Sequence, residues 1–265
     1  MTVRIRTGST TPWAVRAWHV LAGFCARDWA LHFRSPLSVV GTLAGPLLLL
    51  VAVGIGLGGS VAPGQQENIL ALIVPGLCAM SALLVASQRS VAVFHDRSSG
   101  LIDEIVTGPV SRPVVVVAQA LSSATLATVH GLVMLVLAVA LGAGSLPGSP
   151  VAFTAAIAAF ALLSSSLCNA MAYGASKPGT IQSLLNLVIN PLFFLSGALY
   201  DVTTTVVPVR VLALINPLHY AVRLIQAAYA ETPPDGALPT AEALAVVVAV
   251  VVACWAMAVR FSRRG

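Results

Sequence analysis

The residues best placed to do chemistry in this 265-residue chain lie in one polar segment, Phe94–Pro113, between two long apolar stretches. Leu101 and Ile105 stand four residues apart, so on a helix they share a face, and Asp103 and Glu104 fall between them. A short helix of this kind carries a narrow apolar stripe beside two carboxylates. Such a surface is suited to docking, and we predict that its partner is a soluble motor subunit.

Patterns typical of catalysis or metal binding do not occur in the sequence. The five histidines do not cluster, and the spacing of the four cysteines fits neither a zinc site nor a redox motif. There is no phosphate-binding loop, no His-Glu-x-x-His and no Gly-x-Ser-x-Gly motif. We therefore predict no catalytic residue, no metal site and no nucleotide site of its own.

Several polar side chains lie inside apolar runs, where ionisable and amide groups are candidates for a transport path. They are equally consistent with packing side chains that hydrogen-bond between helices, and for the histidine packing is the commoner outcome. The candidates for a translocation path are His130, Asn169, Asn186 and Asn190, and Gln182 is a further amide of this kind.

Carboxylates are absent from the middle of every apolar run. Asp28 and the acidic residues of Phe94–Pro113 are expected on the cytoplasmic side, and the others lie at or beyond the outer ends. Secondary transporters and proton pumps commonly use acidic groups at mid-membrane. A transport protein with neither such groups nor a nucleotide site must take its energy from elsewhere, and a docked ATPase fits that need.

The composition indicates an all-α membrane protein. Hydrophobic residues make up 58% of the chain and charged residues 9%, too few for the charged shell of a soluble domain. Apolar runs of about 20 residues are long enough to cross a bilayer. We predict six spans within a single transmembrane domain, 1–265. They cover residues 37–58, 69–93, 114–141, 151–173, 181–199 and 241–259.

Most of the 14 basic residues precede the first span, follow the last, or lie in the second-to-third and fourth-to-fifth links. By the positive-inside rule, both termini and the segment Phe94–Pro113 are cytoplasmic. We therefore expect a multi-pass protein of the cell (inner) membrane. An odd number of spans would scramble this charge pattern, so the pattern supports six.

Two further helical segments are predicted outside the spans. Residues 13–34 read as an amphipathic helix on the inner leaflet, or alternatively as a simple cytoplasmic tail. Residues 200–239 read as two short helices that dip back toward the bilayer from outside, broken at Asn216–Pro217. The apolar face of the first helix comprises Trp13, Ala17, Val20, Leu21, Phe24 and Leu31, opposed by Arg16, Arg27, Asp28 and Arg34.

Two stretches together resemble a known family. The cytoplasmic stretch His95–Arg112, HDRSSGLIDEIVTGPVSR, has an acidic-Arg pair, a glycine, an acidic helix and Pro-Val-Ser-Arg in order. The outer stretch has FFLSGALY at Phe193–Tyr200, followed by INPLHYAVR at Ile215–Arg223. Their order, spacing and predicted sidedness resemble those of ABC-2 type permeases, the membrane subunits of ATP-driven exporters, and most of all the drug and lipid exporters.

The resemblance implies a mechanism and roles for named residues. Two permease copies, or this chain and a sister permease, would pair with two separate ABC ATPase subunits that use ATP and Mg. The implied ATPase-coupling residues are Asp96, Arg97, Gly100, Leu101, Ile102, Asp103, Glu104, Ile105, Pro109 and Arg112. The implied extracellular gate comprises Gly197, Tyr200, Asn216, Pro217 and Tyr220.

The expected cargo is hydrophobic or amphipathic, such as a drug, a lipid or a lipid-linked glycan, because the spans offer aliphatic groups, a few amides and almost no charge. No nucleic-acid partner is expected. Two other classes stay open. A stand-alone secondary transporter or channel would show mid-membrane carboxylates or inverted repeats, and an intramembrane enzyme would show clustered polar groups at one depth.

Overall fold

The computed structural model describes residues 13–57, 65–107, 110–230 and 240–263, and the regular structure in these ranges is helical. The α-helices are α1 Trp13–Arg34, α2 Pro36–Leu57, α3 Gln65–Ser98, α4 Leu101–Val106, α5 Arg112–Ala140, α6 Pro150–Gly174, α7 Pro178–Leu184, α8 Asn190–Phe194, α9 Val207–Ile215, α10 Pro217–Tyr229 and α11 Thr240–Ser262. A π-helical turn, Leu185–Ile189, joins α7 to α8, and a 3₁₀ turn, Val202–Thr204, precedes α9.

Five helices within the described ranges are long and apolar enough to cross a membrane: α2, α3, α5, α6 and α11. Helices α9 and α10 pass the same test as a pair, but they are bent by 92°. The all-helical membrane class is therefore confirmed, with five or six candidate spans. The predicted fifth span, 181–199, is different from the others: its apolar helical stretch is the shorter Gly179–Phe194, and it contains the π turn.

The centre of the bundle is formed by α3, α5 and α6. Their apolar windows are 61%, 50% and 56% buried, against 17% for α2 and 28% for α11, which lie at the periphery. Glycine permits one close approach at the edge of this core. A Cβ on Gly76 of α3 would lie 1.7 Å from the carbonyl oxygen of Ala198, so any other residue there would displace the loop after α8.

The bundle has two distinct ends. Helix α4 lies beside the C-terminal ends of α3, α6 and α11 and the start of α5, and we call this region the α4 end. The start of α3 and the loop after α8 lie near α10 at the other end, which we call the α10 end. The sequence-based topology expects the α4 end to be cytoplasmic.

Helix α1 runs alongside α5 in the same chain direction. Ser122 Oγ donates to Asp28 Oδ2 over 2.7 Å, and further along the Nε2 atoms of His32 and His130 lie 2.8 Å apart. Its buried residues include Phe24, Asp28 and His32, spaced by four, whereas Leu31 is exposed. The prediction that Asp28 lies on the polar face was wrong, because partners on other helices draw the carboxylate inward. Whether α1 lies on the inner leaflet stays a prediction.

The outer segment, predicted as 200–239, is described as far as residue 230. Helix α9 exposes Val207, Val211 and Ile215, whereas α10 packs against α3, α6 and α11. The break between them falls at Asn216, as expected from the Asn-Pro sequence. A dip of this segment into the bilayer stays a prediction, and residues 231–239 lie outside the described part of the chain.

Candidate functional site

Helix α4 stands where the sequence predicts a docking helix. It begins after Gly100, whose φ of 79° lies in the left-handed region that favours glycine. Ile102 is buried in the core of this chain, whereas Leu101 and Ile105 are half-buried. Ile102 thus anchors the helix, and only the other two present apolar surface outward. Asp103 and Glu104 are exposed; Pro109 lies outside the described residues.

Two arginines of the segment hold the ends of two spans. Arg97 donates to the carbonyl oxygens of Tyr173 and, over 3.2 Å, of Ala175 at the end of α6. Arg112 donates to the carbonyl oxygen of Ser262 at the end of α11 and, over 2.8 Å, to Asp103 Oδ1. Because helix C-termini carry partial negative charge and unpaired carbonyls, guanidinium groups stabilise them. These contacts connect α4 and its flanks to α6 and α11.

The aspartate of the acidic-Arg pair connects α3 to α1. Asp96 Oδ2 lies 2.5 Å from the guanidinium of Arg27, which also contacts Asp28 at 3.0 Å. Burial acts to lower the pKa of Arg27, but the hydrogen bond and charge of Asp96, with the charge of Asp28, leave it raised. This ion pair therefore ties α1 to the last turn of α3, next to α4.

Sequence reasoning missed the buried pair Asp28–Arg89. The sequence places Asp28 on the polar face of the first helix, but the exposed fractions of Arg89 and Asp28 are 7% and 2%. Asp28 forms an ion pair with Arg89 of α3 and accepts a hydrogen bond from Ser122 of α5. Two sequence signals pointed to this pair: Arg89 stands inside an apolar run, and Asp28 follows the apolar Phe24 by one helical turn.

Two cavities flank α4. One, of about 330 Å³, lies at the α4 end and is lined by residues that include Arg97, Arg112, Tyr173 and Ser176. The other is an apolar groove of about 310 Å³ between α1 and α4, lined in part by Gly23, Phe24, Leu101 and Ile105. The outward apolar side chains of α4 thus form one surface with α1.

His130 lies where three helices meet. Its Nε2 contacts His32 of α1 and its Nδ1 lies 3.3 Å from Thr42 Oγ1 of α2, so it joins three helices. Burial and the charge of Arg89 lower the pKa of His32, which favours the neutral imidazole that this contact needs. Asn169 is also buried. A role of His130 or Asn169 in a transport path stays a prediction. Within the described ranges, no three His, Cys, Asp or Glu side chains are placed to hold a metal.

Asn186 and Asn190, in contrast, are exposed, as is Gln182, and the three are spaced by four. We call them the amide stripe. The residues before each of them, Ile181, Leu185 and Ile189, are buried. In a pure α-helix, positions four apart drift by about 40° per step. The wider π turn at Leu185–Ile189 corrects this drift and keeps the amide stripe on one face.

All five predicted gate residues lie around the α10 end. Asn216 caps α10 by accepting from the amide of Leu218 over 3.0 Å, and its own amide donates to the carbonyl oxygen of Leu192. Pro217 occupies the first position of α10, and Tyr220 Oη donates to the carbonyl oxygen of Leu214 over 2.8 Å. These contacts fix the bend between α9 and α10 and hold it against α8.

Gly197 and Tyr200 line a cavity of about 190 Å³ at the same end. Gly197 has a φ of 81°, and its carbonyl oxygen accepts from Gln226 Nε2 over 3.0 Å. His219 Nδ1 lies 2.7 Å from the carbonyl oxygen of Ser196. Burial raises the pKa of Tyr200. Sequence reasoning missed His219 and Gln226, although both lie on α10 close to the Asn-Pro motif.

The sequence pattern of the ABC-2 type transporter family matches residues 21–229, which include α4 with its flanking arginines and the five predicted gate residues. The chain belongs to the ABC-2 type transporter family. It is also similar to Nodulation protein J of Sinorhizobium fredii (strain NBRC 101917 / NGR234), with 27% identity over 209 residues, covering 75% of this chain and 76% of that protein. The predicted family is thereby confirmed, and the chain is a membrane transport component, an ABC-2 permease.

Proposed function

We propose that this ABC-2 permease is the membrane subunit of an ATP-driven exporter, energised by a separate ABC ATPase that uses ATP and Mg. The observation that carries the proposal is the geometry of α4. Its half-buried Leu101 and Ile105 and its exposed Glu104 face outward, while Ile102 and Arg112 attach it to the rest of the bundle.

The contacts of α4 suggest how force would reach the spans. An ATPase that grips Leu101 and Ile105 moves α4, and the pair Asp103–Arg112 carries that displacement to the end of α11. Arg97 carries it to α6, and the pair Asp96–Arg27 carries it to α1. Each of these contacts begins at a residue between Asp96 and Arg112. In this proposal the α4 end and both termini are cytoplasmic, and the protein resides in the cell (inner) membrane.

A second permease copy, identical or a sister chain, completes the transport path. The amide stripe on α7 and α8 is exposed in the single chain, and amides in contact with lipid tails leave hydrogen-bonding groups unsatisfied. The exposed face of α2 carries Gly41 and Gly45, where an added Cβ would meet nothing within 4 Å. This small-residue face permits close helix contact. Asn186 and Asn190 would then border a polar path between the two copies, which the cluster at the α10 end closes.

The cargo we propose is hydrophobic or amphipathic: a drug, a lipid or a lipid-linked glycan. Many exposed side chains of the candidate spans are aliphatic, and the amide stripe offers hydrogen-bonding groups beside them, which suits cargo with a large apolar part. Deleting the gene is accordingly expected to sensitise cells to hydrophobic toxins or to stop export of a lipid.

The proposal is tested by reconstituting the permease in vesicles with and without the ABC ATPase encoded nearest to its gene. A hydrophobic dye and a fluorescent phospholipid serve as probes. We expect ATP-dependent movement of at least one probe only when both proteins are present, and none with an ATPase whose phosphate-loop lysine is replaced. Uphill movement by the permease alone would refute the proposal.

The path is tested by thiol labelling in a variant without the native cysteines. Gln182→Cys, Asn186→Cys and Asn190→Cys are each expected to react with a membrane-impermeant thiol reagent roughly tenfold faster than Val248→Cys and Val252→Cys, because reaction requires water and a thiolate. The two valines are the matched control, since they are exposed and spaced by four on α11. Equal rates at all five positions would place the amide stripe in lipid and contradict the path.

A further inference from the structure

A row of polar side chains lies in the contact between α5 and α6. Tyr173 Oη of α6 donates to Gln119 Oε1 of α5 over 2.6 Å, which sets the register of these two helices. The helices are antiparallel, so Ser123 on α5 and Asn169 on α6, each four residues from that contact, come to the same level. All four side chains are buried, with exposed fractions of 0 to 2%. We call these four residues the α5–α6 seam.

Most hydrogen-bonding groups of the α5–α6 seam have no protein partner. Among the described residues, none bonds to Gln119 Nε2, Ser123 Oγ or either amide atom of Asn169. A buried polar group left unsatisfied is costly, and buried polar groups in proteins nearly always find a protein or water partner. Four such atoms within one turn of each other therefore point to a ligand with both donors and acceptors.

Water is the ligand whose chemistry fits these unpartnered groups. A buried water makes about three hydrogen bonds to otherwise unsatisfied groups, and the seam offers amide, hydroxyl and carbonyl groups. Tyr173 forms one end of the seam and also lines the 330 Å³ cavity at the α4 end. Tyr173 is thus the member of the seam that borders this cavity, and its partner Gln119 comes next along the seam.

We propose that the α5–α6 seam binds ordered water that enters from the cavity at the α4 end. The inference goes beyond the proposed transport function and does not depend on it. Its consequence is mechanical: only the Tyr173–Gln119 contact joins α5 and α6 directly in the seam, and the other polar groups are joined through water, whose hydrogen bonds can re-form when the helices shift. In this proposal the core of the bundle contains ordered water near α4.

The sign of a stability change tests the proposal. In a hydrated seam, Asn169→Leu removes water ligands and leaves Ser123 and Gln119 dry, so the Tm of the purified permease falls by ~2–4 °C or more. In a dry seam, the same change removes two unsatisfied atoms and the Tm rises. Unfolding is followed with a thiol-reactive dye, because Cys78, Cys168 and Cys254 are buried in the folded chain. An unchanged or higher Tm overturns the proposal.

Two further variants complete the experiment. Ser166→Ala removes a hydroxyl that already accepts from Trp255 Nε1 and donates to the carbonyl oxygen of Leu162, so it gives the effect of losing a satisfied group on the same helix. If Asn169→Leu does not fold, the Tm of Ser123→Ala is measured instead, and a lower Tm is again expected. A cryo-electron microscopy map of the unaltered permease is also expected to show water density beside Asn169, and a well-resolved map without it overturns the proposal.

Discussion

Replacing Leu101 and Ile105 together by Asp is expected to abolish co-purification of the ABC ATPase with the permease. Fully burying one Leu or Ile side chain contributes ~1.5–3 kcal/mol. Because Leu101 and Ile105 are already half-buried in this chain, docking of a partner adds about half of that free energy at each residue. The double variant loses this gain and forces two carboxylates into an apolar contact. A combined loss of ~4 kcal/mol weakens binding about a thousandfold.

The control carries the same two charges at the same spacing elsewhere. Ser176→Asp plus Thr180→Asp places two exposed carboxylates four residues apart, one in the connection after α6 and one in the first turn of α7, on the side of the membrane expected to be cytoplasmic. This variant is expected to retain the ATPase. Ile102 is left unaltered because it is buried, and its replacement would disturb the fold. Full ATPase retention by a folded Leu101→Asp, Ile105→Asp variant would show that docking occurs elsewhere.

The second large effect is expected at the buried pair Asp28–Arg89. Asp28→Leu leaves Arg89 without a carboxylate, since among the described residues Arg89 has no other ion-pair partner. Breaking a buried pair in this way costs ~3–5 kcal/mol. We expect a correspondingly large fall in the Tm of the purified permease, measured with the thiol-reactive dye. The reason is electrostatic: the charge of an arginine that is only 7% exposed cannot recover its hydration.

The converse change is expected to cost less. In Arg89→Met, Asp28 keeps Arg27 at 3.0 Å and the hydroxyl of Ser122 at 2.7 Å. The double variant, Asp28→Leu plus Arg89→Met, should be more stable than Asp28→Leu alone, because no unpaired charge remains in the core. Such non-additivity distinguishes an ion pair from two independent packing sites. Simple addition of the two single effects would contradict the pairing.

An exposed ion pair of the same chain calibrates the measurement. Asp103 and Arg112 are 58% and 31% exposed, so Asp103→Asn is expected to change the free energy of unfolding by no more than about 1 kcal/mol. Asp28→Leu should therefore lower the Tm several times more than Asp103→Asn. Similar shifts in the two variants would indicate that Asp28 reaches water and that the core contact is weak.

Much of the architecture was predictable because its causes are local. Apolar runs of about 20 residues indicate membrane helices wherever they occur, and α3, α5, α6 and α11 fall close to the predicted spans. The spacing of Leu101 and Ile105 predicted a short helix, and α4 occupies that position. The order of the two motifs indicated the ABC-2 family, which the family match confirms. Each of these features depends on neighbours along the chain.

By itself, then, the sequence determined the protein class, the family and the places where helices form. Only the tertiary structure decided which face of each helix is buried. A charged residue such as Asp28 enters the core when Arg89 and Ser122 arrive from other helices, and His130 joins three helices because His32 and Thr42 meet it. The physical reason is that burying a polar group costs free energy unless a partner offsets it. Those partners are brought together by the packing of α1, α2, α3 and α5, and the spacing of residues along a single helix does not predict them.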